Sequence, residues 1–270
     1  MNLRDGGISE DAPFPGEQIP PPPEQPDLPR NPPWRIWEGL LLLGLFLLAQ
    51  LIASGIAAWL VYQFAPGDLG NGELELERVL FTLPPALAVS YLAGWLAVYW
   101  LVVKRHRRPF RHALGLGAYS PARLLFPFCG GMALQIATVI LVALYPPADD
   151  HQFAFDIFLH SGAAPLILFF VIAVVLAPLM EEVMFRGVLL PALRLRFGFP
   201  VAALAVTTLF TAMHAFQTGA YWPALLGIGV CGWLLAWMRE RTGRLWHSVA
   251  FHVGFNFMAF LPVIFLDLLA

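Results

Sequence analysis

The sequence predicts an all-α protein, a polytopic transmembrane bundle of seven helices, or eight if its last apolar stretch is broken. Three observations lead there. Hydrophobic residues make up 59% of the chain and charged residues 13%, about half the charged share of a soluble globular protein. Mean hydropathy is +0.69. The apolar residues also fall in long runs, near the roughly 20 that a helix needs to cross a bilayer.

Taken in order, residues 39–64, 79–103 and 124–145 contain no Asp, Glu, Lys or Arg. Residues 163–180 are also uncharged and end at Glu181 and Glu182. The runs 198–216, 221–238 and 245–270 complete the set and carry His214, His247, His252 and Asp267. Ahead of them lies a separate region, 1–35, with ten prolines between Pro13 and Pro33 and few apolar residues. Such a stretch cannot bury a core and favours extended polyproline II, so a disordered tail is expected. Docking to a proline-binding partner is the sharper alternative. The organisation read here is the tail 1–35, a three-span region 36–145, and a core 146–270 that holds the polar motifs.

Charge orients the bundle. Lys104, Arg105, Arg107, Arg108, Arg111 and Arg123 flank one loop, Arg186, Arg194 and Arg196 follow the fourth run, and Arg239, Arg241 and Arg244 follow the sixth. The alternate loops carry Asp68, Glu73, Glu75 and Glu77, then Asp149, Asp150 and Asp156, with Arg78 the lone exception. The positive-inside rule therefore expects a cytoplasmic N-terminus. The basic stretch 104–112 reads as a topology anchor that meets anionic lipid headgroups. A net charge of −2 gives no reason to expect a nucleic-acid partner. Cys129 and Cys231 lie within spans, so neither reads as a disulfide partner or zinc ligand. Of 16 basic residues all but Lys104 are arginine, a bias of GC-rich bacterial genomes. The expected location is a bacterial cytoplasmic membrane, with the first span as targeting signal.

Charge inside a span needs a reason, because each such residue costs roughly 2.5–3.5 kcal/mol near the bilayer centre. Glu182 and Arg186 stand four residues apart, share a helix face and can pair. Glu181 points about 100° away and has no cation in its own segment. A buried carboxylate of that kind suits a general base. On other spans, Phe210 shares a face with His214, and His252 shares one with Asn256, with Ser248 a turn earlier. Counted at about 1.5 Å per residue from the basic ends, Glu181, His214, His252 and Asn256 reach similar depths. A lone His, Asn or Ser in a span commonly serves as hydrogen-bond glue between helices, which is the reading for Ser248. His247 reads as interfacial. Four such groups at one depth point instead to hydrolysis. Glu181, assisted by His214, takes a proton from water, and His252 and Asn256 donate to the developing oxyanion. No G-x-S-x-G or H-E-x-x-H occurs, which argues against serine hydrolases and the usual zinc-protease helix. One Glu and two His could still hold zinc, though not at a familiar spacing.

These residues carry a resemblance. "EEVMFR" (Glu181, Glu182, Arg186) resembles the E-E-x-x-x-R motif of the CAAX prenyl protease and bacteriocin-processing family of intramembrane glutamic endopeptidases. "FTAMH" (Phe210, His214) is similar to that family's F-x-x-x-H, and "HVGFN" (His252, Asn256) to its third motif. The order and rough spacing match over about residues 163–260. The resemblance implies an all-helical bundle, Glu181 and His214 activating water, and His252 with Asn256 as the oxyanion hole. Glu182, Arg186 and Phe210 are implied as supporting residues. No metal or other cofactor is expected. The expected partners are a peptide or protein substrate, with or without an attached lipid, and membrane lipids. A non-catalytic membrane scaffold or bacteriocin self-immunity protein of the same family is the alternative. A transporter is disfavoured by the lack of paired broken helices.

Overall fold

The computed structural model describes residues 32–63, 72–147 and 163–269. Most of the Pro-rich tail expected over 1–35 lies outside the described residues. The helices in chain order are α1 (Ile36–Gln63), α2 (Gly72–Tyr99), the short α3 (Phe110–Ala113) and α4 (Ala122–Leu144). α2 runs on into a wider π-helical turn, π1 (Trp100–Arg105). A single long helical run follows. It consists of α5 (Ala163–Val171), π2 (Ile172–Leu176), α6 (Ala177–Glu182), π3 (Val183–Leu189) and α7 (Leu190–His214). α8 (Trp222–Thr242) and α9 (Leu245–Leu269) complete the chain. No strand occurs among the described residues.

Five of these helical runs are long and apolar enough to cross a membrane. One of them, Ala164–His214, has 51 residues and would reach roughly 75 Å if straight, against a hydrocarbon core of about 30 Å. It is broken at Gly198, whose backbone lies at φ 75° and ψ 169°, a conformation open to glycine and strained for other residues. Pro200 starts the second limb, where its fixed φ suits a first helical turn. Among the described residues, two limbs from this run, the other four long runs and α9 give seven rods. α9 is continuous, so the eight-helix alternative is not taken. The protein is an integral membrane protein, with side chains such as Leu51 (71% exposed) and Phe126 (86%) turned outward.

The apolar run 163–180 ends at the glutamates, but the helix does not. It continues because the first charge after Glu181 finds a partner one turn on, as described below. The start of α1 is tied to this helix. Trp34 is buried and its indole N–H donates to the Val188 carbonyl at 2.9 Å. Glu38 is buried beside it, accepting from the Arg35 backbone N–H at 2.7 Å and pairing with Arg105 at the end of π1 and with His106 just after it.

α9 is held mainly by α4, through a crossing of small residues. A Cβ added at Gly131 would fall on the Phe251 carbonyl, and one at Gly254 on the Phe128 carbonyl. Close approach through glycine is a common way for helices to associate in lipid. Gly254→Val is expected to push α4 and α9 apart at a cost of about 1–3 kcal/mol and to move His252, two residues away. Unfolding in detergent micelles measures this, and unchanged stability would show that the helices do not touch there.

Candidate active site

The three sequence motifs meet around the middle of the long helix. Glu182 and Arg186 are both fully buried, and Arg186 Nη1 donates to Glu182 Oε1 at 2.8 Å. Arg186 Nη2 donates to the Gly232 carbonyl on α8 at 2.8 Å. The guanidinium carbon stands 4.7 Å from the centre of the Phe210 ring, a stacking that is strong when both partners are dry. Phe210 in turn packs edge-on against Phe185 at 5.5 Å and touches the rings of His214 (4.5 Å) and His252 (5.5 Å). One aromatic ring thus packs against the Arg186 guanidinium and both imidazoles at once.

Both imidazoles are oriented through Nδ1. In His214 it lies 2.7 Å from the Phe210 carbonyl, which can only accept, so Nδ1 carries the hydrogen. In His252 it lies 3.2 Å from Glu182 Oε1, the oxygen already paired with Arg186. Nε2 of each ring then faces Glu181 Oε2, at 4.0 Å for His214 and 3.8 Å for His252. These gaps are too long for direct hydrogen bonds and suit one shared oxygen about 2.8 Å from each atom. The side chains of Glu181 and His214 remain 13% and 17% exposed, whereas Glu182, Arg186 and Phe210 are at most 1% exposed. Glu181 and His214 thus form the exposed edge of the cluster, with Glu181 Oε2 itself buried beneath it.

The structure brings together six of the seven expected residues: Glu181, Glu182, Arg186, Phe210, His214 and His252. Asn256 is placed differently. Its amide nitrogen donates to the Ala173 carbonyl at 2.8 Å, and the reason lies in the local backbone. In π2 the Ala177 N–H reaches back five residues to Ile172. The next carbonyl in that register, Ala173, would need an N–H from residue 178, which is proline and has none. Asn256 fills the gap, and its second amide N–H is left for other use.

The same event occurs in π3. The Leu190 N–H reaches back to Phe185, so the Arg186 carbonyl would need an N–H from residue 191, again a proline. Arg239, buried on α8, donates from Nε to that carbonyl at 3.2 Å. π-turns inside α-helices often mark functional sites because they re-aim side chains, and here each is stapled by a side chain from another helix. Sequence reasoning took Arg239 as a topology charge and missed this role. Pro191 five residues after Arg186 was the available signal. Arg239→Met is expected to leave the Arg186 carbonyl buried and unpaired at a cost of about 1–3 kcal/mol. Thermal unfolding checks this, and a neutral result would remove Arg239 from the site's support.

Tyr91 on α2 is a further neighbour that the sequence did not single out. It is buried, with its hydroxyl beside Gln50 and within electrostatic reach of Glu181. Ser248, also buried, donates to the Leu245 carbonyl at 2.9 Å and stands within hydrogen-bonding reach of Glu182. Among the described residues no three His, Cys, Asp or Glu side chains are arranged to hold a metal ion.

Comparison with curated proteins and with solved structures returned no match. Residues 163–258, the segment that carries all three motifs, match the family model described as Rce1-like, type II CAAX prenyl endopeptidase, and the resemblance read from the motifs is borne out there.

Proposed function

We propose that this chain is an intramembrane endopeptidase of the glutamic type. The Rce1-like segment implies a protease. The observation that supports the finer reading is the convergence of Glu181 Oε2 with Nε2 of His214 and His252 at 4.0 and 3.8 Å. A water placed among them gives a proton to Glu181 as its oxygen attacks the scissile carbonyl. That carbon gains a bond to oxygen, and its former π electrons move onto the carbonyl oxygen. His214, with Nδ1 engaged at the Phe210 carbonyl, presents Nε2 as an acceptor that helps align the water. His252, backed by Glu182 and carrying a proton on Nε2, donates to the oxyanion. The amide N–H of Asn256 not given to Ala173, one turn along α9 from His252, is the second donor. Glu181 returns its proton to the leaving amine as the C–N bond breaks.

The substrate is a peptide or protein segment, with or without a lipid, delivered within the bilayer. The charge pattern supports a cytoplasmic N-terminus, and the excess of arginine over lysine supports a bacterial cytoplasmic membrane. A second, metal-centred reading rests on one observation, against the finding that no three His, Cys, Asp or Glu side chains among the described residues are arranged to hold an ion. Each imidazole is backed through Nδ1 by an oxygen, the support that metal-bound histidines also carry.

Cleavage of a fluorogenic peptide library by the purified chain in lipid nanodiscs, with and without a chelator, tests both readings. Chelator-insensitive cleavage is expected. Cleavage abolished by the chelator and restored by zinc would replace the glutamic mechanism with a metal-centred one.

A further inference from the structure

Away from the motif cluster, a cavity of about 290 Å³ opens between the start of α4 and the α8–α9 turn. Tyr119, Ser120 and Arg123 line one side, and Thr242, Arg244 and His247 line the other. Its walls are fixed to each other. The Trp246 indole donates to the Gly117 carbonyl at 3.1 Å, Arg244 donates to the Ala118 carbonyl, and the Leu245 backbone N–H bonds the Gly115 carbonyl at 3.0 Å. The Tyr119 and Trp246 rings pack 4.9 Å apart at the rim.

The lining is cationic and unbalanced. No carboxylate lines the cavity, and among the described residues no ion pair includes Arg123 or Arg244. His247 Nδ1 is buried without a hydrogen-bond partner among the described residues. Two guanidinium groups, an imidazole and the hydroxyls of Tyr119 and Ser120 suit an oxyanion that accepts several charge-assisted hydrogen bonds, while the Thr242 hydroxyl donates to the Met238 carbonyl at 2.8 Å.

The apolar surface next to the cavity identifies the source of that oxyanion. Phe126 stands three residues after Arg123 on α4, on nearly the same helix face, and is 86% exposed. Leu125 beside it is 64% exposed. A phosphate seated between Arg123 and Arg244 would leave its acyl chains along these side chains. The Tyr119–Trp246 pair stands where aromatic residues mark the headgroup level. Basic pockets between spanning helices are known sites for anionic headgroups.

We infer that this cavity is a binding site for the phosphate headgroup of an anionic phospholipid. It is separate from the exposed basic stretch 104–112 and does not depend on the proposed proteolysis.

The full chain, purified in a non-ionic detergent, is titrated with dihexanoyl phosphatidylglycerol, dihexanoyl phosphatidylcholine or inorganic phosphate while its melting temperature is followed. Saturable stabilisation by phosphatidylglycerol alone is expected. Arg123→Gln should weaken its apparent affinity about fivefold, the contribution of one basic side chain near anionic lipid. Arg108→Gln, which removes a charge from the basic stretch, should not. Arg123 is exposed and forms no ion pair among the described residues, so its replacement leaves the fold intact. Equal response to phosphatidylcholine, stabilisation by phosphate ion as strong as by the lipid, or an unchanged affinity in Arg123→Gln would each overturn the inference.

Discussion

Glu181→Gln is expected to fold normally and to cleave about 10²–10⁴-fold more slowly, the share that a positioned general base contributes. The two halves of this prediction have different grounds. Folding survives because Glu181 Oε2 has no direct hydrogen bond to lose; its nearest partners are imidazole nitrogens at 3.8 and 4.0 Å. The amide has nearly the same shape and removes a charge that burial penalises. Activity falls because an amide oxygen cannot hold the proton taken from water. Melting temperature and cleavage rate, measured on the same nanodisc preparation, separate the two effects. A variant that kept the full rate would show that Glu181 is not the base. A variant that unfolded would show that its carboxylate supports the bundle.

Glu182→Gln should behave oppositely, losing stability first. Arg186 is fully buried and donates its only carboxylate hydrogen bond among the described residues to Glu182. Removing one member of a buried pair typically costs about 3–5 kcal/mol, because the other charge stays behind without compensation. The variant also loses the charge that His252 Nδ1 faces at 3.2 Å, so its residual population should cleave slowly. Arg186→Met in the same background supplies the control. If the cost comes from the stranded charge, the double variant should be less destabilised than the two single changes added together. Additive losses would mean that the pair is not coupled, and that the Gly232 carbonyl and the Phe210 ring hold Arg186 by themselves.

Much of this site could be read from the chain because its signals are local. Glu182 and Arg186 are four residues apart, which places both on one helix face whatever surrounds them. His214 follows Phe210 at the same interval, and the Nδ1 hydrogen bond to the Phe210 carbonyl uses that spacing. The apolar runs have lengths set by bilayer thickness, so their number survived into the fold. What could not be read was the use of the prolines. At both Pro178 and Pro191 a π-turn carries the helix through and leaves a carbonyl without its donor.

The sequence by itself determined an all-helical membrane protein, the span order, and the shared helix faces of the three motifs. Those properties depend on length, hydropathy and helical interval, all of which act within one segment. Only the tertiary structure decided which helix serves each freed carbonyl. Arg239 comes from 53 residues away to serve Arg186, and Asn256 from 83 away to serve Ala173. It also decided the distance from Glu181 to the two histidines, through a Phe210 ring wedged between Arg186, His214 and His252 and a glycine crossing of α4 on α9. The physical reason is that a missing donor is a local fact of the backbone, whereas its replacement is chosen by the packing of the other helices.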